Sequence, residues 1–308
     1  MIKPFINRTP VLSSGYIDAL LGSEVHFKCE NFQPMGAYKI RGAMHAILKL
    51  PPELRERGVV THSSGNFAQA LALAARQAGV KAYIAMPSSA SAFKKKAVRE
   101  YGGILEECAP TPEAREAAAY AICQRTGGTF IHPSDNLDVI LGQGTACMEL
   151  LEEQPGLDHI FVPVGGGGLL AGTAMAASFF SPGTKVIAGE PLEADDAFRS
   201  FYSGELKGNT STNTIADGLK TMLGETSFPL ILKYASAIRR VTEAEIRTAM
   251  RLLWERLKIT AEPSSAVALA AIQNAEGQFK GKKIGVIISG GNVDLDALPF
   301  QEATRALS

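Results

Sequence analysis

The chain carries no surplus of either charge: 31 Lys and Arg residues balance 31 Asp and Glu residues. Nucleic acid and acidic membrane surfaces are therefore not expected as partners, because that kind of attraction needs a sizeable net charge. Long apolar runs are missing as well. No stretch approaches the roughly 20 residues that a membrane-spanning helix needs, and the opening MIKPFINRTPVL lacks the apolar centre of a secretory leader. Cysteine is scarce: Cys29, Cys108, Cys123 and Cys147 are widely spaced and form no CxxC pair. Neither a disulfide framework nor a zinc site follows, so a reducing cytoplasm is the expected location. No His-x-x-x-His or Cys/His cluster occurs, which speaks against zinc catalysis. A Pro/Ser-rich linker, a short-period repeat and a low-complexity tract are all absent, so composition alone marks no domain boundary.

What is present is globular. Hydrophobic residues make up 46% and charged residues 20% of 308 positions, and at roughly 150 residues per domain that length allows about two domains. Short apolar runs at 58–62, 81–86, 104–108, 129–132, 159–164, 185–189 and 283–288 read as strands. They alternate with helical patterns at 68–77, 92–101, 113–125, 138–153, 169–179, 194–200, 243–257 and 265–274. Strand–helix alternation at this spacing predicts an α/β chain with open, mostly parallel twisted sheets covered by helices on both faces. The strands are apolar almost throughout, as burial on both faces requires. The segment 50–56 is the weakest join, and the polar stretch 203–213 reads as a surface loop.

Four glycines, Gly165, Gly166, Gly167 and Gly168, follow a strand and open a helix. Without Cβ atoms, several backbone amides can converge on one anion at the positive end of a helix. A phosphate suits this loop, which is neither GxGxxG nor GxxxxGKS/T; a tight turn that binds nothing is the alternative. Ser63-Ser64-Gly65-Asn66 stands at another strand-to-helix junction and suits a carboxylate, or simply caps the helix. Ser289-Gly290-Gly291-Asn292 is a third such loop. All three belong at the carboxyl ends of parallel strands, where sheets of this kind bind ligands. Lys39, in GAYKIRGA, is a base or Schiff-base amine if buried and an ordinary solvated lysine if not. The acidic run EPLEADD at 190–196 offers oxygens to a hard divalent cation, or is a solvated helix start.

In combination these motifs resemble the serine/threonine dehydratase and serine racemase family, pyridoxal-phosphate enzymes of the tryptophan-synthase-β fold (fold type II). The resemblance rests on Lys28-Cys29-Glu30 with GAYKIRGA, THSSGN, GQGT at 142–145, PVGGGG, EPLEADD, ADGLK at 216–220, AEPSSA at 261–266 and SGGN. It covers essentially the whole chain, and these eight matches keep the family's order. It implies a pyridoxal phosphate held in the cleft between two domains, a large one of 1–56 with 136–308 and a small one of 57–135. Lys39 is implied as the Schiff-base lysine, and Gly165 to Gly168 with Leu169 as the phosphate cradle. Asn66 would meet the ring hydroxyl and Ser289 the ring nitrogen. Ser64 is implied as the second catalytic group, on the face opposite Lys39. Ser63, Ser64 and Asn66 would hold the substrate carboxylate, with Arg115 closing over the substrate. Phe67, directly after Asn66 at a helix start, lines the pocket or turns into the helix–sheet core. Glu190, the carbonyl of Ala194, and Asp196 match a magnesium, calcium or manganese site. A homodimer is expected, without a separate regulatory domain.

The activity so implied is elimination from a β-hydroxy-α-amino acid such as L-threonine or L-serine, giving a 2-keto acid and ammonia. A serine rather than an aspartate at the ring nitrogen favours that outcome. The rivals are an amino-acid racemase, a β-hydroxyaspartate or phenylserine dehydratase and, on other grounds, a non-catalytic small-molecule sensor. Departures from the family pattern fall on the substrate side: Ala37 and Phe67 replace the usual Ser and His, Ser134 replaces Asn, and Ser265 replaces Gly. The added apolar wall predicts that threonine, or something bulkier, is used at least as well as serine.

Overall fold

The apolar runs sort into two sheets in a computed structural model that describes residues 1–300. The strands are β1 Val11–Leu12, β2 Glu24–Cys29, β3 Val59–His62, β4 Ala82–Pro87, β5 Ile104–Cys108, β6 Thr129–Phe130, β7 His159–Pro163, β8 Lys185–Pro191, β9 Ala237–Val241 and β10 Lys283–Ile288. The larger sheet runs β1-β2-β10-β7-β8-β9 and the smaller β5-β4-β3-β6. Every pairing is parallel except β1 with β2. This is the α/β architecture that the alternation predicts. Residues 301–308, the last part of the expected larger domain, lie outside the described residues.

Three strands escape the periodicity: β1, β2 and β9. In β2 (EVHFKC) and β9 (AIRRV) charged residues interrupt the apolar pattern, and Lys28 is buried in β2 only because carboxylates reach it. Two further expectations need correction. The join at 50–56 holds a short helix, Pro52–Arg57, whose proline occupies a first-turn position that needs no amide hydrogen. The helix expected over 243–257 is α-helical only to Leu252; a π-turn, Leu253–Leu257, follows and ends at Lys258 with φ +59. The loop expected at 203–213 begins after the helix Asp196–Ser203.

The helix Lys39–Lys49 buries Ile40, Ala43, Met44 and Ile47 in one cluster with the helix Asn66–Gln77 and strands of the smaller sheet. Residues from before the small sheet thus share its core. Among the described residues no helix is long and apolar enough to cross a membrane.

Candidate active site

Lys39 opens its helix, and the loop before it is tied to the loop after β10. Ala37 bridges Gly290, the Tyr38 amide donates to the Ser289 carbonyl at 2.9 Å, and the Gly291 amide donates to the Gly36 carbonyl at 2.9 Å. Gly36 has φ +79, and a Cβ there would overlap the Asn292 side chain, so only glycine lets the two loops approach this closely. Lys39 Nζ donates to the Pro133 carbonyl at 2.9 Å and lies 5.1 Å from the Tyr38 ring centroid and 5.7 Å from that of Phe67. Burial lowers its pKa to about 8, opposed by the Glu262 carboxylate. Such an amine can serve as nucleophile and base near neutral pH.

The glycine loop joins β7 to the helix Gly168–Phe180. A Cβ at Gly165 would lie 2.9 Å from Leu219 Cα, one at Gly167 2.5 Å from Ser227 Oγ, and one at Gly168 2.8 Å from the Ser134 carbonyl oxygen; at Gly166 it would overlap the Ser134 hydroxyl. Among the described residues the amides of Gly165, Gly166 and Gly167 meet no protein acceptor. Leu169 follows with its side chain in the core. The loop is a cradle that side chains would fill, with free amides at a helix N-terminus, and a phosphate group fits it. Lys39 and the cradle share a wall, because Pro133 accepts from the lysine while its neighbour Ser134 backs the glycines.

The SSGN loop faces them from the smaller sheet. Asn66 Nδ2 donates to both Glu262 oxygens at 3.1 Å, and its Oδ1 accepts from Asn292 Nδ2 at 2.9 Å. Burial and the Asp217 charge raise Glu262 to about 7. Ser63 is buried and its Oγ accepts from the Gly65 amide. The helix begins at Asn66 with Gly65 as its N-cap and no side-chain cap, and Ser64 makes no hydrogen bond among the described residues, so the capping alternative finds no contact to support it. Ser289 Oγ lies 3.0 Å from Ser265 Oγ, which also bonds both backbone groups of Gly290. Phe67 is 2% exposed and packs in the core cluster of the smaller sheet, with Lys39 Nζ 5.7 Å from its ring centroid.

Arg115 stands apart. It lies half-buried on the helix Pro112–Thr126, and its charge lowers the pKa of His62 after burial has done so. The His62 ring is 5.7 Å from that of His132, which burial, then His62 and, more weakly, Lys39 push down to about 4. Among the described residues Arg115 has no ion-pair partner.

Glu190, near the end of β8, and Asp196, which opens the helix Asp196–Ser203, are both buried. Glu190 accepts from the amides of Ala197 and Phe198 at 2.8 and 2.7 Å. Asp196 Oδ2 accepts from the Leu223 amide at 2.8 Å, while its Oδ1 is buried without a partner. Burial and then Asp196 raise Glu190 to about 9; burial raises Asp196 to about 6. Two buried carboxylates with an orphaned oxygen fit a hard cation. No group of three His, Cys, Asp or Glu side chains converges among the described residues, so backbone carbonyls such as that of Ala194, and water, would have to complete its shell.

Sequence reasoning missed the roles of Glu262 and Pro133, and placed Asn292 in a ligand-binding loop without its partner Asn66. Glu262 precedes a proline at a helix start, where it reads as an ordinary first-turn acid, and nothing local announces Pro133.

Comparison with known proteins follows the same lines. The family model described as "Pyridoxal-phosphate dependent enzyme" matches residues 2–290. The chain is 46% identical to the β-hydroxyaspartate dehydratase of Paracoccus denitrificans (strain Pd 1222), over 97% of this chain and 95% of that one. It is 49% identical to the serine racemase of Dictyostelium discoideum, over 96% and 93%. A threonine deaminase structure from T.th. superposes with a TM-score of 0.90 at 39% identity, covering 96% of both chains.

Proposed function

The chain belongs to the pyridoxal-phosphate-dependent enzymes, and from that premise we propose that it eliminates water from a β-hydroxy-α-amino acid such as L-threonine or L-serine, the released enamine then taking up water to give a 2-keto acid and ammonia. The observation that carries this is Lys39, an amine of lowered pKa that shares the Pro133–Ser134 wall with the glycine cradle. Bound there, the cofactor supplies an electron sink for the charge left when the α-proton departs. Lys39 Nζ takes that proton. The Asn66 carboxamide, fixed by Glu262 and Asn292, stands ready for the ring hydroxyl, and Ser289 for the ring nitrogen. Ser63, Ser64 and Asn66 hold the substrate carboxylate. We assign the small domain to 57–135; a cytoplasmic homodimer completes this reading. The test is a panel of β-hydroxy amino acids with keto acid and enantiomer both counted. No keto acid from any member would overturn the proposal.

A racemase on the same site is the second reading, favoured by the unengaged Ser64 hydroxyl. The choice of substrate turns on Arg115. A half-buried guanidinium without a carboxylate suits a substrate bearing a second one, such as β-hydroxyaspartate. Arg115→Gln should then lower kcat/KM for β-hydroxyaspartate by about 10- to 100-fold, the worth of hydrogen bonds to a charged group at about 1.5–3 kcal/mol. Threonine turnover should hold. Equal losses on both substrates would remove Arg115 from the specificity role.

We also assign a magnesium, calcium or manganese ion to Glu190, the Ala194 carbonyl and Asp196. Leu223 supports a link to the cofactor, since its amide binds Asp196 and its side chain abuts Gly167. Chelation should therefore lower Tm and cofactor retention together, and cation at a hundredfold excess over Kd should return about 2.7 kcal/mol. The pH dependence has a definite sign. Glu190 is raised in the folded state from 4.5 to about 9, so its contribution is complete below pH 4.5 and is lost as pH rises toward 9. A cation replaces the proton, and the Tm gain from magnesium should be larger at about pH 8.5 than at about pH 6. A melting curve that ignores both chelator and magnesium, in protein free of metal by elemental analysis, would reject the site.

A further inference from the structure

Residues 142–145 (GQGT) lie within the helix Leu137–Glu153, and the elimination chemistry uses none of them. Each nevertheless makes a specific contact with one of the two helices that carry the site. A Cβ at Gly142 would lie 2.6 Å from Gly42 Cα. Gln143 Oε1 accepts from the Gly42 amide at 3.1 Å. A Cβ at Gly144 would lie 2.6 Å from the Gly172 carbonyl oxygen. Thr145 Oγ1 accepts from Arg41 at 3.2 Å and donates to the Gly142 carbonyl at 2.6 Å. Gly42 and Arg41 belong to the helix headed by Lys39, and Gly172 to the helix headed by the cradle.

We propose that residues 142–145 form a spacer that sets the distance between Lys39 and the glycine cradle, and that they act as positioning residues for one ligand that must reach both. A helix-interior glycine costs about 1 kcal/mol relative to alanine, so glycines at these contacts need a return, and backbone-to-backbone approach is the one visible here. At the glycine contacts, Gly142 against Gly42 and Gly144 against Gly172, backbone meets backbone with no side chain between to repack if a helix slides. The first turn at Lys39 has no side-chain cap and no acidic residue, while Lys39 itself places a positive charge at a positive helix end. Tertiary contacts must hold it. Arg41 supplies them, fully buried and gripped by Glu30 at 2.6 and 2.8 Å and by Glu149 at 2.8 and 2.7 Å. Lys28 joins the same carboxylate of Glu149 at 2.9 Å. Motifs far apart in the chain, KCE, KIRGA and GQGT, thereby meet in one buried network.

The proposal rests on the reading that pyridoxal phosphate spans Lys39 and the cradle, and the test separates the two. Full-length protein, stripped of cofactor with hydroxylamine, is titrated with pyridoxal phosphate, with pyridoxal and with inorganic phosphate. Adduct absorbance and calorimetry are the readouts. A misplacement of about 1 Å can cost on the order of 100-fold in rate, and Gly144→Ala should weaken pyridoxal phosphate by at least about tenfold, or about 1.4 kcal/mol. Pyridoxal and phosphate, which each use one end only, should bind as in wild type. Thr145→Val should act in the same direction with a smaller effect, and it decides alone if Gly144→Ala does not fold. Pyridoxal phosphate binding unchanged in the folded variants, or weakened only in step with the two fragments, overturns the spacer. Wild-type protein that forms no adduct overturns the cofactor reading with it.

Discussion

Lys39→Ala should leave a folded protein with almost no activity. Among the described residues the Lys39 side chain makes a single hydrogen bond, to the Pro133 carbonyl, and alanine is the better helix former, so Tm should barely move. The chemistry, in contrast, loses its cofactor anchor and its α-proton base together. A positioned general base alone is worth about 10²- to 10⁴-fold. Lys39→Arg should not rescue, because a guanidinium keeps its proton at any working pH. Borohydride reduction followed by tryptic mass mapping makes the assignment direct. A modified Lys39 resists cleavage, so the tag should appear on the peptide spanning residues 29–41. A tag on any other lysine would sink the assignment even if the variant were dead.

Ser64→Ala should split the two reactions. Racemisation and any action on D-amino acids need a proton carrier on the face away from Lys39, and should fall by about 10²- to 10⁴-fold. Elimination from the L-enantiomer should survive at least in part, because Lys39 still reaches that proton. The Ser64 hydroxyl caps no helix, since the following helix starts at Asn66 with Gly65 as its N-cap and no side-chain cap, so the substitution should be nearly silent in Tm. Parallel loss of both activities would make Ser64 a carboxylate ligand and nothing more. Counting D-serine and pyruvate from L-serine in one reaction decides between these outcomes.

Legibility in the sequence followed the range of the interactions. The glycine cradle was readable because its requirement is local: a Cβ at Gly165, Gly167 or Gly168 would lie within 2.5 to 2.9 Å of neighbouring atoms, so several consecutive positions tolerate no side chain. The apolar strands β3, β4, β7, β8 and β10 were readable for a similar reason. Burial on both faces demands apolar residues at every position, whatever strand lies alongside. β2 and β9 were hidden because their charged residues look like surface until partners from elsewhere are known. Phe67 shows the limit of neighbour-based inference. Its place after Asn66 allowed either a pocket wall or a turn into the core, and only the tertiary structure shows its ring packed in the core cluster within 5.7 Å of the Lys39 amine.

By itself the amino-acid sequence determined the α/β class, the helix starts that can take anions, and, through the resemblance, the kind of chemistry. These depend on backbone conformation, side-chain volume and motif order, all carried within a few residues of one another. Tertiary structure alone decided which side chains meet. Asn66 finds Glu262 and Asn292 across separations of 196 and 226 residues, and Arg41 finds Glu149 across 108. The pKa values of Lys39, Glu190 and Glu262 belong to the same class, because burial and neighbouring charge exist only once the two sheets have closed around the site. A hydrogen bond or a desolvated charge depends on distances in space, and local sequence does not encode those distances when the partners come from different strands and helices.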